Sequence, residues 1–185
     1  MKLLESVMLV SGFVFASPTL AEQVNLPSAD VHLVTTAEDR QQVVLRLERP
    51  AILDHVSLGE ASLRLSADLV SPESELRVQI LALREDYQGG GEPSVIEGLV
   101  GRFTLERGSA IRKVDLSGLV RGTLHEAQFY GLLVTTPPGV EGGFDESQGQ
   151  AMLSRLQGST LDVSFRRTPP PPSIREPQRG RQENR

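Results

Sequence analysis

Alternation of apolar and polar residues is the strongest signal along this chain. In Ala61–Leu69 every odd position is apolar or small and every even position polar, the period of a strand half-buried in an antiparallel sheet. After a turn at Ser71–Ser74 the pattern resumes in Leu76–Ile80, and Leu81 and Leu83 extend it with both faces apolar. Gln41–Glu48 sets Val43, Leu45 and Leu47 on one face against Arg46 and Glu48 on the other, and Pro50 ends it because proline cannot donate to a ladder. Asp30–Thr35, Ser94–Glu97, Gly101–Glu106 and Leu161–Phe165 are further strand candidates. A slip of one residue would turn each leucine set toward solvent, so the pattern also specifies register.

The stretch Ala110–Val134 organises the rest. Ile111–Leu116 reads as a strand, Ser117 as the cap of a short helical turn ending at Gly122, and Phe129–Thr135 as an interior strand apolar on both faces. Asp86–Pro93, with three successive glycines, and Pro137–Glu146 are loops. Ala151–Leu156 is compatible with strand or short helix. Eight or nine short strands, with no repeat and no long amphipathic helix, predict an all-β fold. The expected architecture is an antiparallel jelly-roll-like β-sandwich with one short helical turn.

The ends change the picture. Residues 1–21 have a lysine at position 2, an apolar run at Ser6–Ala16 and small residues before Ala21, the layout of a signal peptide cleaved after Ala21, with Ala16 as second site. The run is too short to span a bilayer comfortably, so no transmembrane segment is expected after cleavage. The protein is then secreted or periplasmic. It has no cysteine, which excludes disulfides, thiolate nucleophiles and thiolate metal sites. The β-sandwich domain is assigned to 22–165. From Arg166 onward, a run of four consecutive prolines and six arginines against two glutamates mark a polyproline-rich, disordered tail of charge +4. Residues 22–165 hold twelve Lys and Arg against 21 Asp and Glu, or −9. The tail is a solvated segment or a basic arm that touches polyanions, and an acidic exported body argues against nucleic acid.

Several segments resemble the DNRLRE-type domains, exported jelly-roll modules similar to carbohydrate-binding modules. Val43–Leu47, Ile52 and Val56–Leu65 look like the opening strands, Val114–Val120 like the helical turn, Phe129–Val134 like the Asn-Tyr-Gly strand, and Leu161–Phe165 like the last strand. The resemblance spans Val31–Phe165. Phe129 stands where that family has asparagine, and the tryptophans of a sugar platform are missing. The resemblance implies the fold more than the ligand; the reading of the whole chain is a non-catalytic exported structural or binding module, with a glycan or an envelope or matrix protein as the expected partner.

Candidate chemistry is sparse. The three glycines of Asp86–Pro93 lack the Lys-Ser/Thr and helix start of a phosphate loop. His32, His55 and His125 stand in no nucleophile context. Ligand-binding residues are expected on loops that pair an aromatic ring or carboxylates with amides: Tyr87 and Gln88 in one, Asp145 and Glu146 in the other. Tyr130 with Gln128 is a weaker pairing, because Tyr130 is expected to pack in the sheet. Glu141–Glu146 has enough oxygens for a structural cation, without EF-hand spacing. No cofactor is expected. The alternative to a binding module is a polysaccharide-acting hydrolase that uses loop carboxylates.

Overall fold

The computed structural model describes residues 21–48, 51–53, 56–70, 75–123, 129–138 and 142–167. Residues 1–20 of the expected leader, all of the expected tail after Arg167, and His55, His125, Gln128 and Glu141 lie outside them. The described chain runs β1 (Glu22–Thr35), β2 (Gln41–Leu47), a single 3-10 turn (Ala51–Leu53), β3 (Val56–Val70), β4 (Leu76–Leu83) and β5 (Val95–Leu105). It continues through β6 (Ala110–Asp115), α1 (Ser117–Thr123), β7 (Gly131–Thr135), α2 (Glu146–Leu156) and β8 (Thr160–Arg167).

These strands form one antiparallel sheet in the order β5-β4-β7-β2-β1-β8-β3-β6. The sheet folds over on β1. Glu22–Pro27 pairs with β8, the remainder pairs with β2, and the register shift between Ser28 and Asp30 marks the changeover. A bulge of this kind bends its strand and lets one chain serve two layers. One layer is then four-stranded (β1-β8-β3-β6) and the other five-stranded (β5-β4-β7-β2-β1). The fold is all-β, a jelly-roll-like antiparallel sandwich close to closure.

The predicted alternation decides what lies between the layers. Leu63, Leu65, Leu161, Val163 and Phe165 of the four-stranded layer share one buried cluster with Val43, Leu45, Val78, Ile80, Leu132 and Val134 of the other. The stretch Ala110–Val134 crosses the sandwich. Its first strand, β6, edges the four-stranded layer, and its second, β7, sits between β4 and β2 in the five-stranded one. Between them α1 packs against both β3 and β5, and buries Leu119 and Val120. It thereby closes the gap between the two edge strands, which join at the turn where the Ser109 N–H donates to the Glu106 carbonyl at 2.9 Å.

Four expectations are revised. Segment 146–156 is a helix, the second in the fold; it takes in Ala151–Leu156, compatible from its sequence with strand or helix, and begins at Glu146, expected to end a loop. It packs on β1, β2 and β3, and Gly149 lies so close to Gln41 that a Cβ there would stand 2.7 Å from the Gln41 Cβ. The two strands expected on either side of Gly98 are one, β5, with a register shift against β4 in which Gly98 takes φ +85°. The first strand begins at Glu22, eight residues before the expected start at Asp30. Arg166 and Arg167, assigned to the tail, belong to β8 and pair with Ser57 and Val56, and Arg167 Nε donates to Glu22 at 2.9 Å.

Candidate functional site

The outward faces of the two layers differ in chemistry, and that difference locates the candidate site. On the four-stranded layer, one register runs Asn25–Asp162–Ser62–Asp115 across all four strands. The neighbouring registers hold Gln23 beside Ser164, and Thr160 beside Arg64 beside Lys113. All of these side chains are polar, because they are the alternate positions whose neighbours Leu26, Leu161, Leu63 and Val114 fill the core. All but Asn25 and Thr160, together with Glu60, Ser117 and Arg121, line an open groove of about 610 Å³.

A break in β3 shapes the groove. Pairing between β3 and β8 shifts at Gly59 and Glu60, and three side chains hold the bulge. The Ser164 hydroxyl accepts from the Glu60 N–H at 2.6 Å and donates to the Glu60 carbonyl at 3.1 Å. Ser117 Oγ accepts from the Ala61 N–H at 3.0 Å. Arg121 Nε donates to the Gly59 carbonyl at 3.1 Å. Every one of these bonds satisfies a backbone group that the bulge removes from the ladder.

The charged groups are ordered by the same contacts. Asp162 accepts from Arg64 Nη2 at 2.5 Å, and its other oxygen, shielded from solvent, has no partner among the described residues. Asp115 Oδ1 accepts from both the hydroxyl (2.6 Å) and the N–H (2.9 Å) of Ser117. These two hydrogen bonds hold its carboxyl below the usual carboxylate range, aided by the nearby Arg121 and Lys113 charges and opposed by a little desolvation. Lys113 has neither hydrogen bond nor ion pair among the described residues.

The outward face of the five-stranded layer is apolar at its centre instead. Its central register runs His32–Val44–Leu133–Leu81–Val100. Val34, Val44, Leu83 and Leu133 form a second buried cluster, with Tyr87 and Tyr130 packed against it.

The four ligand-binding residues expected from the sequence do not converge. β7 runs antiparallel to β4, with Thr135 opposite Gln79 and Leu132 opposite Ala82. The loop after Leu83 and the loop after Thr135 therefore leave from opposite ends of the layer. Tyr87 is half-buried, its ring edge-on to His32 at 5.8 Å between centroids. The Gln88 amide donates to Asp86, which also receives Arg46 through Nε and Nη2 at 2.9 Å each. At the other end Asp145 caps α2: Oδ1 accepts from the Gln148 N–H at 2.8 Å, and the Gln148 side chain accepts from the Asp145 N–H at 3.2 Å. Glu146 is the exposed first residue of that helix. Among the described residues, no three His, Asp or Glu side chains are grouped to hold a metal ion.

The groove residues Ser62, Arg64, Lys113 and Asp162 were not among those expected. Their signal is present as the polar half of each alternation, but which polar positions face one another depends on register among strands far apart in sequence. No family model matches the chain, and a comparison with curated proteins finds no match either.

Proposed function

We propose that this protein is a non-catalytic, exported binding module whose ligand is a carbohydrate held on the outward face of the four-stranded layer. The observation that supports it most is the polar register Asp162–Ser62–Asp115 in the floor of the groove, continued on β1 by Asn25. A sugar offers hydroxyls that both donate and accept, so a complementary surface needs closely spaced acceptors and donors. Carboxylates at Asp162 and Asp115, hydroxyls at Ser62 and Ser164, and cations at Arg64 and Lys113 provide both. Four strands set about 4.8 Å apart span roughly 14 Å, room for a short oligosaccharide. The resemblance to exported carbohydrate-binding-like modules agrees with this.

A protein partner is less well matched by this groove, since protein interfaces are anchored by buried aromatic and apolar side chains, and none of the outward positions in these registers offers one. The test is calorimetric titration of the full chain with a panel of neutral and acidic oligosaccharides, repeated with Asp162→Ala and Ser62→Tyr. Binding to at least one saccharide, lost in both variants while they stay folded by circular dichroism, is expected. Binding unaffected by either variant places the ligand elsewhere, and turnover of a bound oligosaccharide refutes a non-catalytic role.

A further inference from the structure

We infer that the groove selects saccharides carrying an anionic group, a carboxylate or a sulfate ester, and that Lys113 and Arg121 receive it; this rests on the carbohydrate reading above. The first ground is a cross-strand contact that the isolated fold does not favour. Arg64 on β3 and Lys113 on β6 are direct register partners on the groove side of the sheet. Residues so placed have Cβ atoms about 5 Å apart, and like charges there repel. Asp162 balances Arg64 at 2.5 Å, but Lys113 is left without a hydrogen bond or ion pair among the described residues. It is also the only lysine in the sequence after Lys2. In a body of charge −9 whose other cations are all arginines, an unpaired ammonium beside an arginine is a site that a bound anion relieves.

The second ground is Arg121. Its Nε is spent on the Gly59 carbonyl at 3.1 Å, which anchors the guanidinium at the groove and leaves both Nη groups without a hydrogen-bond acceptor among the described residues. A planar fork of this kind matches a carboxylate or sulfate. Three elements thus bring three cations to one groove: β3, β6 and α1.

The opposing charges in the groove are Glu60, Asp115 and Asp162. Asp162 is occupied by Arg64, and Asp115 is held by the hydroxyl and N–H of Ser117. Glu60 has no side-chain partner among the described residues and limits the net attraction, so selectivity comes from the geometry of the two cations more than from bulk charge.

The experiment titrates the full chain with three matched probes: a galactose tetramer, the same tetramer carrying sulfate esters, and a galacturonic acid tetramer. At low salt at least one acidic probe is expected to bind tenfold or more tightly than the neutral one, with the advantage lost at high salt. Whichever acidic probe binds tighter identifies the anion. Lys113→Gln and Arg121→Gln should each weaken acidic binding by about three- to tenfold more than they weaken neutral binding. Equal affinity for all three probes, or no effect of Lys113→Gln, overturns the anion selectivity while leaving carbohydrate binding in place. Failure of all three probes to bind the folded chain overturns both.

Discussion

Replacing Gly131 with alanine should cost more stability than any other single-methyl change in this fold. Gly131 opens β7 at φ +139°, in a conformation that L side chains rarely adopt. An added Cβ would stand 2.2 Å from the Leu45 carbonyl oxygen and 3.0 Å from the Arg46 Cα. Both are backbone atoms of a central strand, so they cannot rotate away as a side chain would. The strained φ costs about 1–2 kcal/mol, and displacing a paired strand adds about 1–3 kcal/mol of overpacking. The sum, about 2–5 kcal/mol, is a large part of the 5–15 kcal/mol typical of a domain. Gly118→Ala is the internal control. It adds the same atom to α1, where nothing lies within 4 Å, and helix propensity alone should stabilise by up to about 1 kcal/mol. Urea unfolding at constant slope reads both changes. If Gly131→Ala shifts the free energy by less than about 0.5 kcal/mol, the packing of β7 against β2 is not as described.

Four further outcomes follow from the core, the groove and the 84–94 loop. Ser117→Ala removes the acceptor of the Ala61 N–H and both side-chain bonds of Ser117, and should cost about 1–3 kcal/mol at neutral pH. Because Asp115 is held below its ordinary value, its contribution is present above about pH 4 and lost as pH falls through the lowered value; Asp115→Asn should therefore flatten the acid limb of a stability–pH curve, and an unchanged limb contradicts the pairing. Phe165→Ala, at a position only 1 % exposed, should cost about 3–5 kcal/mol, measurable as a lowered urea midpoint. Arg46→Ala breaks a bidentate but solvent-accessible pair with Asp86 and should cost under about 1 kcal/mol; a larger loss would mean that the 84–94 loop is a structural strap.

The fold was legible in the sequence where alternation is strict and neighbours in sequence are neighbours in space. Leu63 and Leu65, Val43 and Leu45, and Leu161 and Phe165 face the core as their period requires. α2 was less visible. It carries Gly149 in mid-helix and buries only Met152 and Leu156 among its larger side chains, so its apolar stripe is thin. Its readable mark is Asp145 followed three residues on by Gln148, a capping box. The single β5 was hidden by Gly98, which reads as a strand end until a bulge is recognised. The groove was not legible at all. Gln23, Ser62, Asp115 and Asp162 come from four separated segments and meet only because β8 pairs with both β1 and β3 while β6 joins at the edge. Each looks like an ordinary solvent-side residue of its own strand. Loops rich in glycine and acids drew attention instead, yet their carboxylates at Asp86 and Asp145 are engaged by Arg46 and by the helix backbone.

The most direct measurement of the groove as ligand face is an amide chemical-shift map of the isotope-labelled protein titrated with an acidic oligosaccharide. The predicted result is a contiguous set of perturbed amides on β3, β6 and β8, centred on Ser62, Lys113, Asp115 and Asp162. Perturbations confined to Val44, Leu81 and Leu133 on the opposite layer, or to the 84–94 loop, would contradict the account.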